Sequence, residues 1–494
     1  MKKQKTLTRI LLLALALSMM LVCFVGCKGD GPDEGTENNS VSTNGGNTGD
    51  DELGDSLPDD LNYNDTVVTI YGWQSTVTEF EVEEYNGIAI DQAVYDRNKT
   101  VESRLGVKLD YEIFPSGDSN KYPTEVELHT SGGEAYDIYA GHTRMNALCT
   151  TKGLFLNLGG IENSYLDFDK PWWNKSVIEK TSIGNNFYIC TGDIAPSSVQ
   201  MVYCIYFNED MITNEHLDNP YDLVADNEWT LENMLAMNMN FYQDDNTNNI
   251  ADIGDHLPLV GANWDWPALL HGCGIGIVDT DVTGEFVLNS DFIGEKSINV
   301  MEMLEDTIAL DNSFVNNSDG DTRNSFMNEK SLFLITQSGL AATHFSDIEF
   351  QYGAVPCPKY DSEQENYIST ARQTVTMYSL SKAVATDRLP MITAVMECLA
   401  VEGYNQVTPV VFDTVMKYQK SASADMSDML QLIRETAWFD MGRIYTNDLS
   451  IISDRPGMLL RDGQSWATYL DGTVKTTVKN QLQKLSDDLV GFAQ

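Results

Sequence analysis

The chain has 494 residues and a formal net charge of −43, because 74 Asp and Glu outnumber 31 Lys and Arg. So acidic a protein repels polyanions, which excludes nucleic acids and anionic lipid surfaces as partners. The length is enough for two domains even when the N-terminal segments are set aside.

The first 26 residues have the pattern of a secretory signal peptide. Four basic residues come first: Lys2, Lys3, Lys5 and Arg9. The apolar run 10–25 follows, and it is too short and wrongly flanked for a transmembrane helix. Cleavage after Gly26 removes those four charges and takes the formal charge from −43 to −47. Residues 28–62 are mainly Gly, Ser, Thr, Asn and acids, which predicts a disordered, flexible tether.

The cysteine after Gly26 suggests an anchor. The sequence Phe24-Val25-Gly26-Cys27 resembles the lipobox of bacterial lipoproteins, although Phe24 replaces the usual Leu. That resemblance implies a lipid on Cys27 and attachment to the extracytoplasmic face of the cell membrane. An ordinary secretory signal with an incidental cysteine is the alternative. No second apolar span follows, so we expect the protein to be anchored without crossing the membrane.

Six further cysteines show no short paired spacing: Cys149, Cys190, Cys204, Cys273, Cys357 and Cys398. A chain of this size builds a sufficient core without disulfides, so disulfides are permitted but unnecessary. We expect these thiols to act as small buried apolar groups.

Strand and helix patterns alternate after the tether. Strand-like runs occur at 66–73, 106–114, 135–141, 154–158, 201–208, 331–335, 352–358 and 374–380. Helical patterns occur at 90–105, at 143–152, from Thr230 to about 242, and after Pro267. A terminal amphipathic helix is indicated by Val474, Val478, Leu482, Leu485 and Leu489. This alternation predicts an α/β protein with mainly parallel sheets.

The stretch QDDNTNNIADIGDH (243–256) partly matches a twelve-residue calcium loop. Side chains or carbonyls at positions 1, 3, 5, 7, 9 and 12 come from Asp244, Asn246, Asn248, Ile250, Asp252 and Asp255. Asn249 replaces the usual Gly, and an Asp replaces the final bidentate Glu. A weak structural calcium site and a plain Asn/Asp-rich turn both remain open. No other cofactor is expected.

Six stretches, in order, carry a resemblance to a known family. They are AYDIYAG, KGLFLNLGGI, KPWWNKSVIEKTSIGNNFYICTGDI with YCIYFNEDMI, FMNEKSLFLI and YGAVPCPKYDSEQENYIS. Their order and spacing over 66–494 resemble the extracellular solute-binding proteins of ABC importers, particularly the sugar-binding type. The resemblance implies an α/β, two-lobe type II periplasmic-binding-protein fold with the ligand cleft between the lobes. It also implies ABC permease subunits as partners and no catalytic residues.

The resemblance also suggests how the chain divides between the lobes. We expect lobe 1 at 63–195 plus 332–378, and lobe 2 at 196–331 plus 379–494. The predicted crossings lie near 193–200, 328–333 and 376–381. Ligand that contacts both lobes favours the closed state by its differential affinity.

Aromatic residues at predicted strand ends are candidate sugar contacts, because sugars present apolar ring faces and a rim of hydroxyls. Trp73 ends the first strand, with core packing as its alternative role. Trp264 and Trp266 lie in a loop that opens a helix, and we expect one to face the cleft while the other packs below. Trp438 is a further candidate. The tryptophan pair in KPWWN is assigned to structural packing.

Polar residues near predicted strand ends and crossings are further candidate sugar contacts. Asp193 lies at the first predicted crossing, where it accepts sugar hydroxyls or caps a hinge turn. His142 and Arg144 follow a strand and open a helix, and Arg372 precedes a crossing strand. Surface ion pairing is the alternative for both arginines. Gln337 completes the set.

Catalysis has little support in the sequence. The six histidines are scattered, and no serine-hydrolase elbow, zinc-protease motif or nucleotide loop occurs. Paired carboxylates for glycoside cleavage stay open, because acids occur throughout the chain. The competing functions are a cell-surface hydrolase acting on polysaccharide and a sensor subunit that presents ligand to a membrane kinase.

Overall fold

The computed structural model describes residues 54–82, 87–115, 121–184, 186–282, 284–417 and 424–492. The predicted signal peptide, Cys27 and residues 28–53 of the predicted tether lie outside the described residues. The tether prediction is wrong for residues 54–62, because Leu57 is buried in the core and Asp55 pairs with Arg104. Among the helices that are described, none combines the length and the apolar character needed to span a membrane.

The strands form two main sheets and two small ones. Their bounds are β1 Thr66–Trp73, β2 Val107–Phe114, β3 Ile138–His142, β4 Tyr203–Asn208, β5 Leu257–Ala262, β6 Val278–Thr280, β7 Phe286–Leu288, β8 Phe314–Asn316, β9 Ser331–Gln337, β10 Tyr352–Pro356, β11 Ser369–Thr370, β12 Thr376–Leu380 and β13 Ala437–Trp438.

The α-helices connect and cover these sheets. They are Ala89–Leu105, Tyr122–Gly132, Thr143–Thr151, Lys175–Thr181, Ser197–Gln200, Glu209–Asn214, Pro220–Ala225, Leu231–Ala236, Pro267–Gly272, Glu295–Asp311, Asp319–Met327, Leu340–His344, Leu389–Glu402, Thr408–Lys417, Ala424–Glu435, Met441–Ile444, Arg455–Asp462, Trp466–Tyr469 and Lys479–Gly491. The π-helical segments are Gly403–Val407 and Leu470–Val478, and 3₁₀ turns lie at Gln74–Glu79, Leu158–Gly160, Phe345–Asp347 and Thr386–Arg388.

The first sheet has the strand order β12-β3-β1-β2. Strand β1 pairs in parallel with β2 and β3, and β12 closes the edge antiparallel to β3. The helix Ala89–Leu105 connects β1 to β2 and packs against Leu389–Glu402. It ends at Gly106, which has a φ of 59° and donates its N–H to the Glu102 carbonyl. Glycine suits this left-handed C-cap, so the chain turns at once into β2.

The second sheet has the order β10-β4-β9-β5-β8. Strand β4 is antiparallel to β10 and β9, whereas β5 is parallel to β9 and β8. Every residue of β4 and of β5 is buried, as expected for strands covered on both faces. The helix Ala424–Glu435 packs against β10. The prediction of mainly parallel sheets therefore holds for the first sheet, while the second is mixed.

The predicted division of the chain between the lobes needs a correction. Strands β9 and β10 fall within 332–378, which was expected in lobe 1, but both pair with β4 in the second sheet. Only β12 joins the first sheet. The predicted crossing at 328–333 is wrong for the same reason, since helix Asp319–Met327 and β9 pack together beside β5. The chain instead returns to the first sheet between β10 and β12. Antiparallel pairing with β4 places β9 and β10 in the second sheet. The sequence of a strand does not show which other strand it pairs with.

Two local predictions also differ from the structure. Residues 154–158 form a single bridge, between Phe155 and Ser381, in place of a strand. The helix capped by the Thr230 side chain ends at Ala236, well before residue 242. The Pro267 start and the helix at Thr143–Thr151 are confirmed.

One apolar core contains residues from both main sheets and from the C-terminal helices. The predicted amphipathic stripe Val474, Val478, Leu482, Leu485 and Leu489 is buried in it. All six predicted core cysteines are free and buried, which confirms their apolar role. The KPWWN pair, Trp172 and Trp173, is buried as expected, and both indoles donate to the Glu397 carboxylate, at 2.7 and 2.9 Å.

Candidate functional site

A polar cluster lies beside the ends of β5 and β9 in the second sheet, where the segment between β11 and β12 returns to the first sheet. Its centre is the guanidinium of Arg372. Nη1 donates to Gln337 Oε1 at 2.9 Å, and Nη2 lies 3.0 Å from both Asp319 carboxylate oxygens and 3.2 Å from Asp265 Oδ1. The name Arg372 cluster is used below for these residues: Tyr203, Trp264, Asp265, Asp319, Gln337 and Arg372.

Strand ends and helix starts place these groups. Gln337 ends β9, and Asp319 is the first residue of a helix whose cap is the Ser318 side chain. Asp265 lies in the turn after β5, where its Oδ2 accepts the N–H of Ala262. Arg372 lies in the segment that returns to the first sheet, and its N–H donates to the Met201 carbonyl. Loops at strand ends are the usual location of small-molecule sites in such sheets.

Burial sets the protonation of Asp265. Its side chain is fully enclosed, and its Oδ1 accepts the Tyr203 hydroxyl at 2.9 Å. Burial raises the pKa of Asp265 to about 7; the Arg372 cation opposes the rise and the Asp319 charge adds to it. Asp319 is different, because its side chain is 45% exposed. The Asp319 carboxylate is therefore accessible to a ligand, whereas the enclosed Asp265 carboxylate holds the Arg372 guanidinium in place.

The first sheet contributes Trp73, His142 and Arg144. The Trp73 and His142 rings meet edge to face with centroids 4.9 Å apart. His142 Nδ1 accepts the Arg144 N–H at 3.0 Å, so Nε2 carries the imidazole proton. Burial first, and then the Arg144 and Arg372 cations, lower the pKa of His142 to about 3. His142 is therefore a neutral donor near the Arg372 cluster.

An ion pair links the first sheet to the second. Arg144 Nη2 lies 2.5 Å from Asp454 Oδ2. Asp454 precedes the helix Arg455–Asp462, which packs against Glu295–Asp311 and β8 of the second sheet. Gln373, next to Arg372, donates to the other Asp454 oxygen at 3.1 Å. The ion pair and this hydrogen bond thus join the polar groups beside the first sheet directly to a segment that packs on the second sheet.

The two tryptophans after β5 separate as the sequence indicates. Trp264 is half-buried, and its Nε1 donates to Asp319 Oδ1 at 2.8 Å. Trp266 is fully buried, and its Nε1 donates to the Gly261 carbonyl. Trp264 therefore joins the cluster, whereas Trp266 packs beneath it. Trp438 is half-buried beside His271, with ring centroids 5.5 Å apart.

Asp193 lies apart from the Arg372 cluster. Its buried carboxylate accepts the Thr408 hydroxyl at 2.5 Å, and Arg434 Nη2 is 3.4 Å away. It lines a different cavity, of about 390 Å³, together with Trp172 and Trp173. Its roles as a ligand contact and as a hinge-turn cap both stay predictions.

Several residues of the site escaped prediction. Asp265 stands between two tryptophans that were singled out, and Asp319 follows a capping serine, so a search for acids at strand ends could have found both. Tyr203 and Asp454 have no such signal. Their sequence neighbours resemble ordinary core or helix positions. Only long-range packing brings Tyr203 to Asp265 and Asp454 to Arg144.

The 243–256 loop is closed by its own hydrogen bonds. The Gln243 and His256 backbones pair, and Asn249, with a φ of 60°, donates its N–H to Asp244 Oδ2. The carboxylate of Asp255 is buried and accepts the N–H groups of Asp245 and Asp252. Within the described ranges, no group of three or more His, Cys, Asp or Glu side chains is placed to hold a metal. Calcium binding stays a prediction.

Titration calorimetry with calcium tests that prediction. If the loop binds the ion, heat is expected with a dissociation constant on the order of 0.1–1 mM, the range of weak extracellular loops. Asp244→Ala should abolish the heat, while Asp471→Ala, which removes one exposed carboxylate elsewhere, should not. Absence of heat in the unmodified chain would leave the Asn/Asp-rich turn as the correct interpretation.

Comparison with known proteins gives no sequence match: no family model and no curated protein matches the chain. Solved structures do match. The cyclic α-maltosyl-1,6-maltose binding protein of Arthrobacter globiformis has a TM-score of 0.55 at 12% identity, covering 87% of this chain and 99% of that one. The ABC substrate-binding protein Lmo0181 of Listeria monocytogenes, in complex with cycloalternan, has a TM-score of 0.52 at 14% identity, with coverages of 86% and 99%.

Maltose-bound MalE3 of T. maritima is also similar, with a TM-score of 0.51 at 12% identity and coverages of 86% and 99%. Identities this low establish the fold alone. The predicted α/β, two-lobe periplasmic-binding-protein fold is thereby confirmed.

Proposed function

We propose that this chain is a solute-binding protein that captures a small carbohydrate in the crevice between its two sheets. The observation that carries the proposal is the Arg372 cluster, with an exposed carboxylate, a guanidinium and a half-buried indole beside one another. Sugar hydroxyls both donate and accept, so a carboxylate and a guanidinium suit adjacent hydroxyls. The Trp264 ring offers a flat apolar face for a sugar ring.

The position of the cluster supports capture between lobes. Arg372 and Gln373 lie on the connecting segment, and Arg144, beside the first sheet, pairs directly with Asp454, which precedes a helix packed on the second sheet. A ligand that contacts both sides stabilises the arrangement in which they are close. The structural neighbours support the same proposal, since those compared above are binding proteins named for, or bound to, maltose-type or cyclic saccharides.

The cellular role extends this proposal. We infer an extracytoplasmic protein held to the membrane by a lipid on Cys27 and a flexible tether, delivering its solute to an ABC importer. The lipobox-like sequence and the polar composition of residues 28–53 support this inference. Radiolabelled lipid incorporation, lost in Cys27→Ala, tests the anchor separately from binding.

A thermal-shift screen with a saccharide panel tests capture. A bound ligand raises the unfolding temperature, and saturation at about 100 times the dissociation constant adds about 2.7 kcal/mol of stability. The Trp264→Ala variant should lose the shift while its ligand-free melting temperature stays close to that of the unmodified chain. The ligand should be recovered unchanged by chromatography. Stoichiometric binding without turnover supports the proposal, whereas released product would identify a hydrolase.

A further inference from the structure

Arg443 places another guanidinium beside the Arg372 cluster, and it differs from those of Arg144 and Arg372. Arg144 and Arg372 each have carboxylate partners. Arg443 is 3% exposed, yet its Nε and Nη1 have no hydrogen-bond partner among the described residues. It forms no ion pair there either. A guanidinium stays charged at any physiological pH, so Arg443 holds a buried positive charge that no oxygen of the described residues pairs with.

Arg443 adjoins the Arg372 cluster through a shared aromatic ring. The guanidinium carbons of Arg372 and Arg443 lie 5.8 and 5.7 Å from the centre of the Tyr203 ring. Burial and then the Arg443 charge lower the pKa of His271 to about 3, and the half-buried Trp438 ring lies 5.5 Å from the His271 ring. His271 Nδ1 lies 2.8 Å from the Ile275 carbonyl, and its buried Nε2 has no partner in the described part of the chain.

The Asp440 carboxylate forms no hydrogen bond with the Arg443 guanidinium. Asp440 accepts the backbone N–H groups of Ile277, Val278 and Arg443 itself, so its oxygens are already engaged. It balances the Arg443 charge through space only. Burying a cation costs several kcal/mol unless hydrogen bonds and a counter-charge compensate it. Free N–H groups on a buried guanidinium therefore favour an anionic oxygen ligand.

Taking the proposed function as its basis, we propose that Arg443 receives the carboxylate of an acidic sugar. The solute is then a uronate-bearing oligosaccharide, with its neutral hydroxyls on the Arg372 cluster. A carboxylate matches the site because one guanidinium balances one negative charge and donates to both oxygens. The unpartnered His271 Nε2 accepts a neighbouring sugar hydroxyl, and Trp438 offers a ring face beside it.

Calorimetry on the full chain with matched saccharide pairs tests this assignment. Each uronate-bearing compound is compared with its carboxyl-reduced counterpart, beginning with digalacturonate and galactobiose. We expect the uronate to bind at least about tenfold more tightly, the usual value of a charge-assisted hydrogen bond. Preference for the neutral partner would overturn the uronate assignment and leave carbohydrate capture standing. Failure of every saccharide to bind would overturn the proposed function itself.

Variants of Arg443 distinguish the effect of losing its charge from the effect of disturbing the fold. Arg443→Gln should lose the preference for the uronate, with little change for neutral sugars. Arg443→Lys should keep part of the preference, because it retains the charge without the planar donor set. Arg461→Gln, which removes an exposed arginine paired with Asp462, serves as the control and should bind as the unmodified chain does. If Arg443→Gln folds and still prefers the uronate, the inference is wrong; if it does not fold, the ligand pairs decide the question.

Discussion

Replacing Arg372 by Met is expected to lower the free energy of unfolding by about 3–5 kcal/mol and to abolish saccharide binding. The Arg372 side chain is 13% exposed, and its guanidinium contacts Asp265, Asp319 and Gln337. Its removal leaves the Asp265 carboxylate enclosed without a counter-charge. Urea unfolding gives the stability change, and the saccharide panel gives the loss of binding.

The pH dependence of the stability lost in Arg372→Met identifies the cause of that loss. Burial already raises the pKa of Asp265 to about 7, and loss of the Arg372 cation raises it further. A carboxyl whose pKa is raised on folding stabilises the protein at low pH, and that contribution is lost as pH rises. The stability deficit of Arg372→Met should therefore be smaller at pH 5 than at pH 8.

A second substitution provides the matched control. Adding Asp265→Asn to Arg372→Met removes the unpaired charge, so the double variant should regain part of the lost stability. Arg461→Met removes an exposed ion pair and should change stability by about 0.5 kcal/mol or less. A deficit independent of pH and unrelieved by Asp265→Asn would show that Arg372 acts through packing alone.

Replacing Glu397 by Ala is expected to destabilise the protein by several kcal/mol. The carboxylate is fully buried and accepts the indole N–H groups of Trp172 and Trp173 and the N–H of Asp167. Each donor left without an acceptor costs about 1–3 kcal/mol, and the deleted side chain adds a cavity. Urea unfolding measures the loss, and Glu302→Ala, at an exposed helical position, provides the control.

Glu397→Gln tests the charge at this position. Burial raises the pKa of Glu397 from 4.5 to about 7, and the hydrogen bonds from Trp173, Asp167 and Trp172 oppose the rise. Because the folded value is the higher one, the contribution is full below pH 4.5 and falls by about 3 kcal/mol as pH rises to 7 and beyond. Glu397→Gln should flatten the stability curve in this window. An unchanged curve would place the pKa of Glu397 near its ordinary value.

Local patterns in the sequence predicted local features of the structure. The strand at 66–73, the helix that ends at Gly106 and the proline at the start of Pro267–Gly272 follow from residue periodicity and capping. Arg372, Gln337 and Trp264 were singled out as candidate ligand contacts because each stands at a strand end or beside one, and the structure places all three in one cluster. Periodicity and caps act over a few residues, so they are readable without the fold.

Only the tertiary structure decided which strands share a sheet and which charged side chains contact one another. Pairing of β9 and β10 with β4 moved them to the second sheet, against the predicted division. Arg372 is more than 50 residues from Asp319, and Arg144 is more than 300 from Asp454. Such contacts depend on the packing of whole elements, because a side chain's partner is set by where the backbones lie. The sequence by itself determined the elements and the residue types at their ends, and packing decided which of them meet.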